Sequence, residues 1–329
     1  MRIAVLGAGS WASAMGDLLA DCNEIIFYAR NADICDEINA AGTNRRYLKG
    51  FRFHNPVHAV TDPNQAIQGA ELVLLAVPTQ SCRQVLQKIN PAKMKAPIVN
   101  LSKGLEKSSG KRLSEVVAEI LPNPYAVLSG PSHAENVVQK DPTTVVVAGE
   151  DAALTRMLQT LFMRPYFRVY RGDDVAGVEL GGAVKNIFAL GIGIADGLGY
   201  GDNAKAALVT RGLHELVRFG QARGGRARTL YGLAGFGDLY GTATSSHSRN
   251  RNAGELLGRG YSLKETEIRI GQVIEGVMTC EAVYAIAERE GIEMPITSAI
   301  HQILHRELSV KTAVEQLMLR EGKSEFGAE

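Results

Sequence analysis

The sequence predicts an α/β fold, with an N-terminal Rossmann-like, doubly wound and mostly parallel sheet and an all-helical C-terminal region. In the first half, apolar runs typical of buried strands alternate with helical stretches, as in parallel sheets covered on both faces. After about Gly172, strand-like patterning gives way to long helical patterns. A length of 329 residues is enough for two domains, which we place at residues 1–172 and 173–329.

Six strands are predicted as short apolar runs, over Arg2–Leu6, Glu24–Ala29, Leu72–Val77, Ile98–Leu101, Tyr125–Leu128 and Thr144–Val147. Helices are predicted between several of them, over about Trp11–Ala20, Pro63–Gln68, Ser81–Ile89 and Lys111–Leu121. The second half predicts two long helices over 175–198 and 203–223, then Ser248–Leu257, Gly276–Glu290, Pro295–His305 and Val310–Leu319.

Composition excludes several classes of protein. A net charge of +1 gives no bulk attraction to nucleic acid or to a membrane surface. We expect no apolar run of the roughly 20 residues that span a bilayer, and no signal peptide before the first strand. The four cysteines are scattered without a C-x-x-C pair, which predicts free thiols. Together these features predict a cytoplasmic protein.

The segment after the first strand has the spacing of a dinucleotide-binding turn, G-x-G-x-x-[G/A], with Gly7, Gly9 and Ala12. Gly7 allows a tight turn, Gly9 lets the backbone approach a pyrophosphate, and Ala12 lets the following helix pack closely on the strand. That helix would direct its free N–H groups at the phosphates. The alternative is an ordinary turn between a strand and a helix.

Ligands of doubly wound sheets bind outside the carboxyl ends of the strands. Three polar or glycine-containing segments follow predicted strand ends: Pro78–Thr79, Ser102–Gly104 and Gly130–Ser132. We expect them to face one crevice together with Gly7–Trp11.

The end of the second strand bears on the choice of nicotinamide cofactor. An acidic residue there binds the ribose hydroxyls of NAD, whereas this strand is followed by Arg30 and Asn31. A guanidinium matches a 2′-phosphate in charge and geometry, so we predict NADP(H) as the preferred cofactor, with NAD(H) possible. The alternative is that Arg30 is a solvated charge, and nearby Asp33 complicates the prediction.

Three clusters in the second half carry chemistry. Lys185 lies in the apolar segment ELGGAVKN, where desolvation would lower its pKa towards that of a general acid. Asp238 follows the glycine-rich GLAGFG segment, and Ser248–Arg251 read SRNR at a predicted helix start, a good anion binder. The plainer alternatives are a lysine at a helix edge, a turn aspartate and a capped polar loop.

In these clusters and in the glycine turn, the chain resembles the bacterial NAD(P)-dependent glycerol-3-phosphate dehydrogenase family. Residues 7 to 277 carry, in family order, GAGSWA, LSKGLE, LSGPSHA, ELGGAVKN, GDNAKAAL, GLAGFGDL, SRNR and VIEGV. The resemblance implies reversible reduction of dihydroxyacetone phosphate to sn-glycerol 3-phosphate, which supplies phospholipid synthesis. It also implies a homodimer formed through the helical domain, which would bind the small phosphotriose.

The resemblance further implies residue roles. Lys185 would be the catalytic acid and base and would also contact substrate. The other substrate-binding residues would be Lys103, Gly130, Ser132, Asp238, Ser248, Arg249 and Asn250. The cofactor would be bound by Gly7, Gly9, Ser10, Trp11, Arg30, Lys103, Ala134, Arg249, Val273 and Glu275. Lys103 would also favour the neutral form of Lys185 by like-charge repulsion.

The sequence departs from the family pattern at three places. GAGSWA replaces GAGSWG, SGPSHA places His133 where the family has Phe, and DLYGTATS replaces DLVLTCTS at Tyr240–Gly241. His133 is expected near the cleft, and the DLYGTATS change is expected to alter the wall beside Asp238. None of these changes removes a proposed functional group.

The sequence also allows other interpretations. His133 or His247 would serve as acid and base in place of Lys185. His301 and His305 share a helix face, but Gln302 replaces the glutamate of a metalloprotease and no ligand cluster is evident nearby, so we expect no metal. A related β-hydroxyacid or 6-phosphogluconate-type dehydrogenase, and a nucleotide-sensing regulator without turnover, are the competing functions.

Overall fold

The computed structural model describes residues 1–322 and 324–325. Its centre is one eight-stranded sheet in the order β3-β2-β1-β4-β5-β6-β7-β8. The strands are β1 Arg2–Leu6, β2 Glu24–Tyr28, β3 His58–Val60, β4 Leu72–Leu75, β5 Ile98–Asn100, β6 Tyr125–Ser129, β7 Thr143–Gly149 and β8 Phe167–Gly172. All neighbouring pairs are parallel except β6 and β7, so the predicted mostly parallel sheet is confirmed.

The six predicted strands are present, and two further strands were missed. β3 has only three residues, too few for a hydrophobic pattern to stand out. β8 lies at the edge of the sheet, where Phe167 and Val169 are buried while Arg168 and Tyr170 are exposed. Because buried and exposed residues alternate in this strand, it has no continuous apolar run, and the pattern of a fully buried strand does not predict it.

Seven helices connect the strands: α1 Ser10–Leu19, α2 Ala32–Ala41, α3 Pro63–Ala66, α4 Thr79–Gln87, α5 Leu113–Ile120, α6 Ala134–Val138 and α7 Ala152–Phe162. Alternate strand residues face opposite sides of the sheet and enter two apolar clusters. In β1, Ile3 and Val5 belong to one cluster, and Ala4 and Leu6 belong to the other. Burial on both faces explains why the central strands read as continuous apolar runs.

After β8 the described chain is helical. Its helices are α8 Val175–Gly197, α9 Asp202–Ala222, α10 Ala227–Leu230, α11 Asp238–Thr244, α12 Arg249–Gly258, α13 Leu263–Ile270, α14 Glu275–Glu290, α15 Pro295–Leu304 and α16 Val310–Met318. A π-helical turn over Leu233–Gly237 leads directly into α11. These helices enclose a separate apolar core.

The longest helix, α8, is the axis of this core. Its 23 residues are long and apolar enough to cross a membrane by length and composition, although Glu179 and Lys185 interrupt the apolar run. The helix is enclosed by the rest of the protein and is therefore a core helix. Glu179 fixes it to the sheet, because its carboxylate accepts hydrogen bonds from Ser114 and from the Tyr125 hydroxyl.

Helices α8 and α12 cross so closely that their contact points must be glycine. An added Cβ at Gly193 would lie 1.9 Å from the Arg251 carbonyl oxygen, and one at Gly254 would lie 2.0 Å from the Leu190 carbonyl oxygen. Both distances are far below any real contact and involve backbone atoms, which cannot rotate away. Gly193 in α8 and Gly254 in α12 therefore permit this close helix packing.

We expect Gly193→Ala to lower the free energy of unfolding by about 2 kcal/mol or more, because overpacking outweighs the ~1 kcal/mol that alanine gains in helix propensity. Gly191→Ala in the same helix is the matched control, since its nearest neighbour is the rotatable Ile300 Cδ1 at 2.9 Å. Urea unfolding measures both variants. Equal stability of the two would contradict the close crossing.

Candidate active site

The turn between β1 and α1 has the geometry that its glycines predict. Gly7 has φ +124°, and an added Cβ would lie 2.5 Å from the Ala76 carbonyl oxygen, so only glycine is accommodated. At Gly9 an added Cβ would meet nothing within 4 Å, which leaves open space beside the first turn of α1. Ala12 is buried against the sheet. This open backbone at a helix N-terminus fits a pyrophosphate.

Two further residues define the turn. The buried Asn44 amide donates hydrogen bonds to the Ala8 carbonyl oxygen at 2.8 Å and to the Ser13 hydroxyl at 2.9 Å, which fixes the turn from behind. Sequence reasoning missed Asn44, because nothing in its local pattern links it to a segment 36 positions away. The indole Nε1 of Trp11 is buried without a hydrogen-bond partner among the described residues, which leaves a donor for a bound ligand.

Arg30 follows β2, which pairs with β1. Its side chain is exposed and makes no hydrogen bond or ion pair with any described residue, so its guanidinium is available to a ligand. Asn31 caps α2 by accepting from the Asp33 N–H at 2.8 Å. Asp33 itself is exposed beside this cap.

A buried carboxylate between two lysines lies at the carboxyl edge of the sheet. Asp238 Oδ2 is 2.6 Å from Lys103 Nζ, and its Oδ1 is 3.0 Å from Lys185 Nζ. Lys185 also donates to the Thr242 hydroxyl at 2.5 Å, and that hydroxyl is 3.2 Å from Asp238 Oδ1. The predicted lysines and aspartate thus form one cluster, and the plainer interpretations of Lys185 and Asp238 do not describe it.

Three separate elements build this cluster. Lys103 comes from the loop after β5, Lys185 from the middle of α8, and Asp238 from the first residue of α11, directly after the π-helical turn. Such turns are common at functional sites. Gly182 lets α8 approach the end of β6, because an added Cβ there would lie 2.7 Å from the Ser129 hydroxyl; Lys103 Cγ is at an ordinary contact distance of 3.5 Å.

Burial and charge set the ionisation of the cluster. Desolvation lowers the pKa of Lys185 to about 8, with Asp238 opposing this shift and Lys103 adding to it. Burial by itself would raise the pKa of Asp238, but the charges of Lys103 and Lys185 lower it below the ordinary value. Asp238 is therefore ionised at neutral pH, while Lys185 can exchange a proton near neutrality.

The segment after β6 forms the wall beside the lysines. Gly130 has φ +141°, and its carbonyl oxygen accepts from Lys103 Nζ at 2.9 Å and from the Ser132 hydroxyl at 2.9 Å. His133 Nε2 lies 3.3 Å from the Gly241 carbonyl oxygen, so two of the departures from the family pattern meet in space. Burial, and then the charge of Lys185, lowers the pKa of His133, which favours its neutral form.

The SRNR segment begins α12, as predicted. Ser248 is buried and caps this helix by accepting from the Arg251 N–H at 3.2 Å. Arg249 is exposed, and its guanidinium donates to the Val273 carbonyl oxygen at 3.4 Å. Asn250 of α12 connects this helix to α8 and α14. Its Nδ2 donates to Asn186 Oδ1 in α8 at 2.9 Å, and its Oδ1 accepts from the Gly276 N–H in α14 at 2.9 Å.

Glu275 connects the helical region to the sheet region. Its Oε1 accepts from the Thr79 N–H, at the start of α4, at 3.1 Å. An added Cβ at Gly104 would lie 2.5 Å from the Thr79 hydroxyl and 3.1 Å from Glu275 Oε2, so the segment Ser102–Gly104 enters the same contact. Burial raises the pKa of Glu275.

The structure therefore brings most predicted residues to one edge of the sheet. Ala134 begins α6 behind the Gly130 wall, and Val273 lies beside Arg249. Sequence reasoning missed Thr242, although its position one helical turn after Asp238 is a signal that was available. His247 is exposed, and its backbone N–H donates to the Ser245 hydroxyl.

Two family profiles match the sequence of this chain. The N-terminus of NAD-dependent glycerol-3-phosphate dehydrogenase matches residues 2–155, and the C-terminus of the same family matches residues 174–315. The chain belongs to this family. The earlier resemblance, drawn from short motifs, is thereby confirmed.

Individual relatives agree over nearly the whole chain. It is 48% identical to a glycerol-3-phosphate dehydrogenase [NAD(P)+] of Syntrophomonas wolfei, over 99% of this chain and 96% of that protein. It is 45% identical to the protein of the same name from Clostridium botulinum, over 99% of each. The crystal structure of glycerol-3-phosphate dehydrogenase from Coxiella burnetii superimposes with a TM-score of 0.93 at 41% identity, covering 97% of this chain and 99% of that one.

We expect Lys185 to titrate with a midpoint near pH 8 and its two charged neighbours to shift that midpoint in opposite directions. Asp238→Asn removes the attraction that favours the ammonium form, so the pKa of Lys185 falls further. Lys103→Met removes a repulsion, so the pKa rises. NMR titration of the Lys185 side-chain carbons measures the midpoint.

Asp202→Asn is the matched control for this titration, because the Asp202 side chain is 99% exposed and pairs with Lys205 outside the cluster. It should leave the Lys185 midpoint unchanged. A midpoint in Asp238→Asn equal to that of the unmodified protein would show that the buried pair does not control Lys185.

Proposed function

We propose that this protein is an NAD(P)-dependent sn-glycerol-3-phosphate dehydrogenase, which reversibly reduces dihydroxyacetone phosphate to sn-glycerol 3-phosphate. The observation that carries the proposal is the buried Lys103–Asp238–Lys185 cluster at the carboxyl edge of a dinucleotide-binding sheet. Family membership supports the substrate and the cofactor class. The product is a precursor of glycerophospholipids.

The residues present fit a nicotinamide dinucleotide. The open space at Gly9 supports binding of the pyrophosphate at the start of α1, and the unpartnered Trp11 Nε1 supports a further ligand contact beside it. The proposed cofactor-binding residues are Gly7, Gly9, Ser10, Trp11, Arg30, Lys103, Ala134, Arg249, Val273 and Glu275. When bound, the cofactor supplies or accepts the hydride at C2 of the substrate.

Lys185 is proposed as the general acid and base. In reduction, its ammonium group gives a proton to the oxygen that becomes the C2 hydroxyl; in oxidation, the neutral amine removes that proton. A pKa of about 8 makes both forms accessible near neutral pH. Asp238 and Thr242 hold the amine in place through contacts of 3.0 and 2.5 Å.

The remaining proposed substrate contacts surround this lysine. Lys103 is less buried than Lys185, with 18% against 7% of the side chain exposed, so its ammonium group can meet an anionic substrate. Gly130, Ser132 and Asp238 line the same wall. Ser248, Arg249 and Asn250 would bind the phosphate at the N-terminus of α12, where helix dipole and guanidinium both favour an anion.

We further propose that residues 1–172 form the dinucleotide-binding domain, that residues 173–329 form the helical domain of substrate binding, catalysis and dimerisation, and that the protein is a cytoplasmic homodimer, with some residues of each domain contacting the ligand of the other. The end of β8 at Gly172 and the start of α8 at Val175 support this division. The homodimer and the cytoplasmic location rest on the family alone.

We expect Lys185→Ala to lower kcat for dihydroxyacetone phosphate reduction by at least about 100-fold, because a general acid contributes 10²–10⁴. The dissociation constant for NADPH should change little, since Lys185 lies on the substrate side. Steady-state NADPH oxidation and fluorescence titration measure the two quantities.

His133→Phe is the control, and it should retain most of the activity. The opposite pattern, with activity kept in Lys185→Ala and lost in His133→Phe, would transfer the acid–base role to the histidine. Turnover of a β-hydroxyacid or of 6-phosphogluconate, with none of dihydroxyacetone phosphate, would favour the related dehydrogenase class.

We expect kcat/KM to be higher with NADPH than with NADH. Arg30→Ala should lower the NADPH-to-NADH ratio of the two kcat/KM values by about tenfold, the effect of losing one charged hydrogen bond. Arg168→Ala is the control, because Arg168 is exposed on the edge strand farthest from β2. A preference for NADH in the unmodified protein would contradict the predicted cofactor preference while leaving the reaction unaffected.

A further inference from the structure

Two histidines and a glutamate meet on the face between α14 and α15, and the proposed reaction uses none of them. Glu281 Oε1 lies 2.7 Å from His305 Nε2, and Glu281 Oε2 lies 3.4 Å from His301 Nε2. The three ligand atoms are all within 4.8 Å of one another. The sequence showed the i,i+4 histidines but not the carboxylate, which comes from a different helix.

The geometry is close to that of a tetrahedral metal site. Metal–ligand bonds of about 2.0–2.1 Å place neighbouring tetrahedral ligands roughly 3.3 Å apart. The 3.4 Å pair already has this spacing, and the 2.7 Å pair needs a small side-chain movement. Two imidazoles and one carboxylate suit a borderline divalent ion such as Zn²⁺, with water at the fourth position.

The surroundings hold two of the three groups in place. His301 stacks on the Tyr284 ring with centroids 3.8 Å apart, and its side chain is only 13% exposed. Glu281 is 16% exposed, whereas His305 is 46% exposed and leaves the site open to an entering ion. The His305 N–H still donates to the His301 carbonyl oxygen, which keeps both rings on one helix face.

Nearby charges act in both directions. Lys107 Nζ lies 4.0 Å from Glu281 Oε2 and would repel a cation, while the Glu307 carboxylate acts on His301 with the opposite sign.

We propose that Glu281, His301 and His305 bind one divalent transition-metal ion of the Zn²⁺ class, which cross-links α14 to α15. The inference is independent of the proposed dehydrogenase activity. It differs from the expectation from sequence that the chain holds no metal site.

The test uses the full chain stripped of metal with a chelator and titrated with Zn²⁺, and separately with Co²⁺ as a spectroscopic probe. We expect one high-affinity ion per chain, visible absorption of tetrahedral Co²⁺, and a Zn²⁺-dependent rise in Tm. His305→Gln and His301→Gln should each weaken binding by about 100-fold or more, since even outer groups of such sites contribute 10–100-fold.

Two variants sharpen the test. Lys107→Gln should tighten binding several-fold, because it removes a positive charge about 4 Å from a ligand. His54→Gln is the matched control, since His54 is an exposed histidine with a single carboxylate partner, Asp17, and its loss should leave binding unchanged. Misfolding would weaken Zn²⁺ binding in both variants, so tighter binding in Lys107→Gln together with weaker binding in His305→Gln is not explained by misfolding.

Binding that persists in both His301→Gln and His305→Gln would place the ion elsewhere and overturn the proposal, as would the absence of binding at micromolar Zn²⁺. Because His305 is half exposed, the metal-free Tm of His305→Gln should match that of the unmodified protein. NADPH oxidation is measured separately, so a failed metal site and a failed dehydrogenase assignment give different results.

Discussion

The arrangement of the whole candidate site depends on one buried carboxylate that is paired with two lysines. Isolated burial of either charge would be strongly unfavourable, and removing one partner of such a pair costs about 3–5 kcal/mol. Asp238 is nearly inaccessible and contacts Lys103 through one oxygen and Lys185 through the other. The loop after β5, the middle of α8 and the start of α11 must therefore meet at one point.

Helix α8 makes that meeting possible. Its glycines allow the π-helical turn and α12 to approach the helix backbone, and Gly182 allows close contact with Ser129 at the end of β6. Surrounded on all sides, Lys185 is desolvated, which lowers its pKa to about 8. The close packing that stabilises the helical core thus also sets the protonation chemistry of the lysine.

The sheet positions the loops that form the candidate site. Parallel strands direct the turns after β1, β4, β5 and β6 to one edge, so the open turn at Gly9 and the lysine cluster belong to the same side of the molecule. Glu275 then connects the start of α14 to the start of α4. Six residues farther along α14, Glu281 meets His301 and His305, so this one helix carries both the contact to the sheet and the candidate metal site.

The sequence by itself determined the strands with continuous apolar runs, the glycine turn, the helical second half and the chemical identity of Lys185, Asp238 and Arg249. These follow from local periodicity, turn chemistry and short motifs. Only the tertiary structure decided that Asp238 pairs with both lysines, that Thr242 and Asn44 complete the site, and that Glu281 joins two histidines. The tertiary structure was also needed to identify the edge strand β8. The physical reason is that ion pairing, desolvation and coordination depend on distances between residues far apart in the chain, which packing sets and local sequence does not encode.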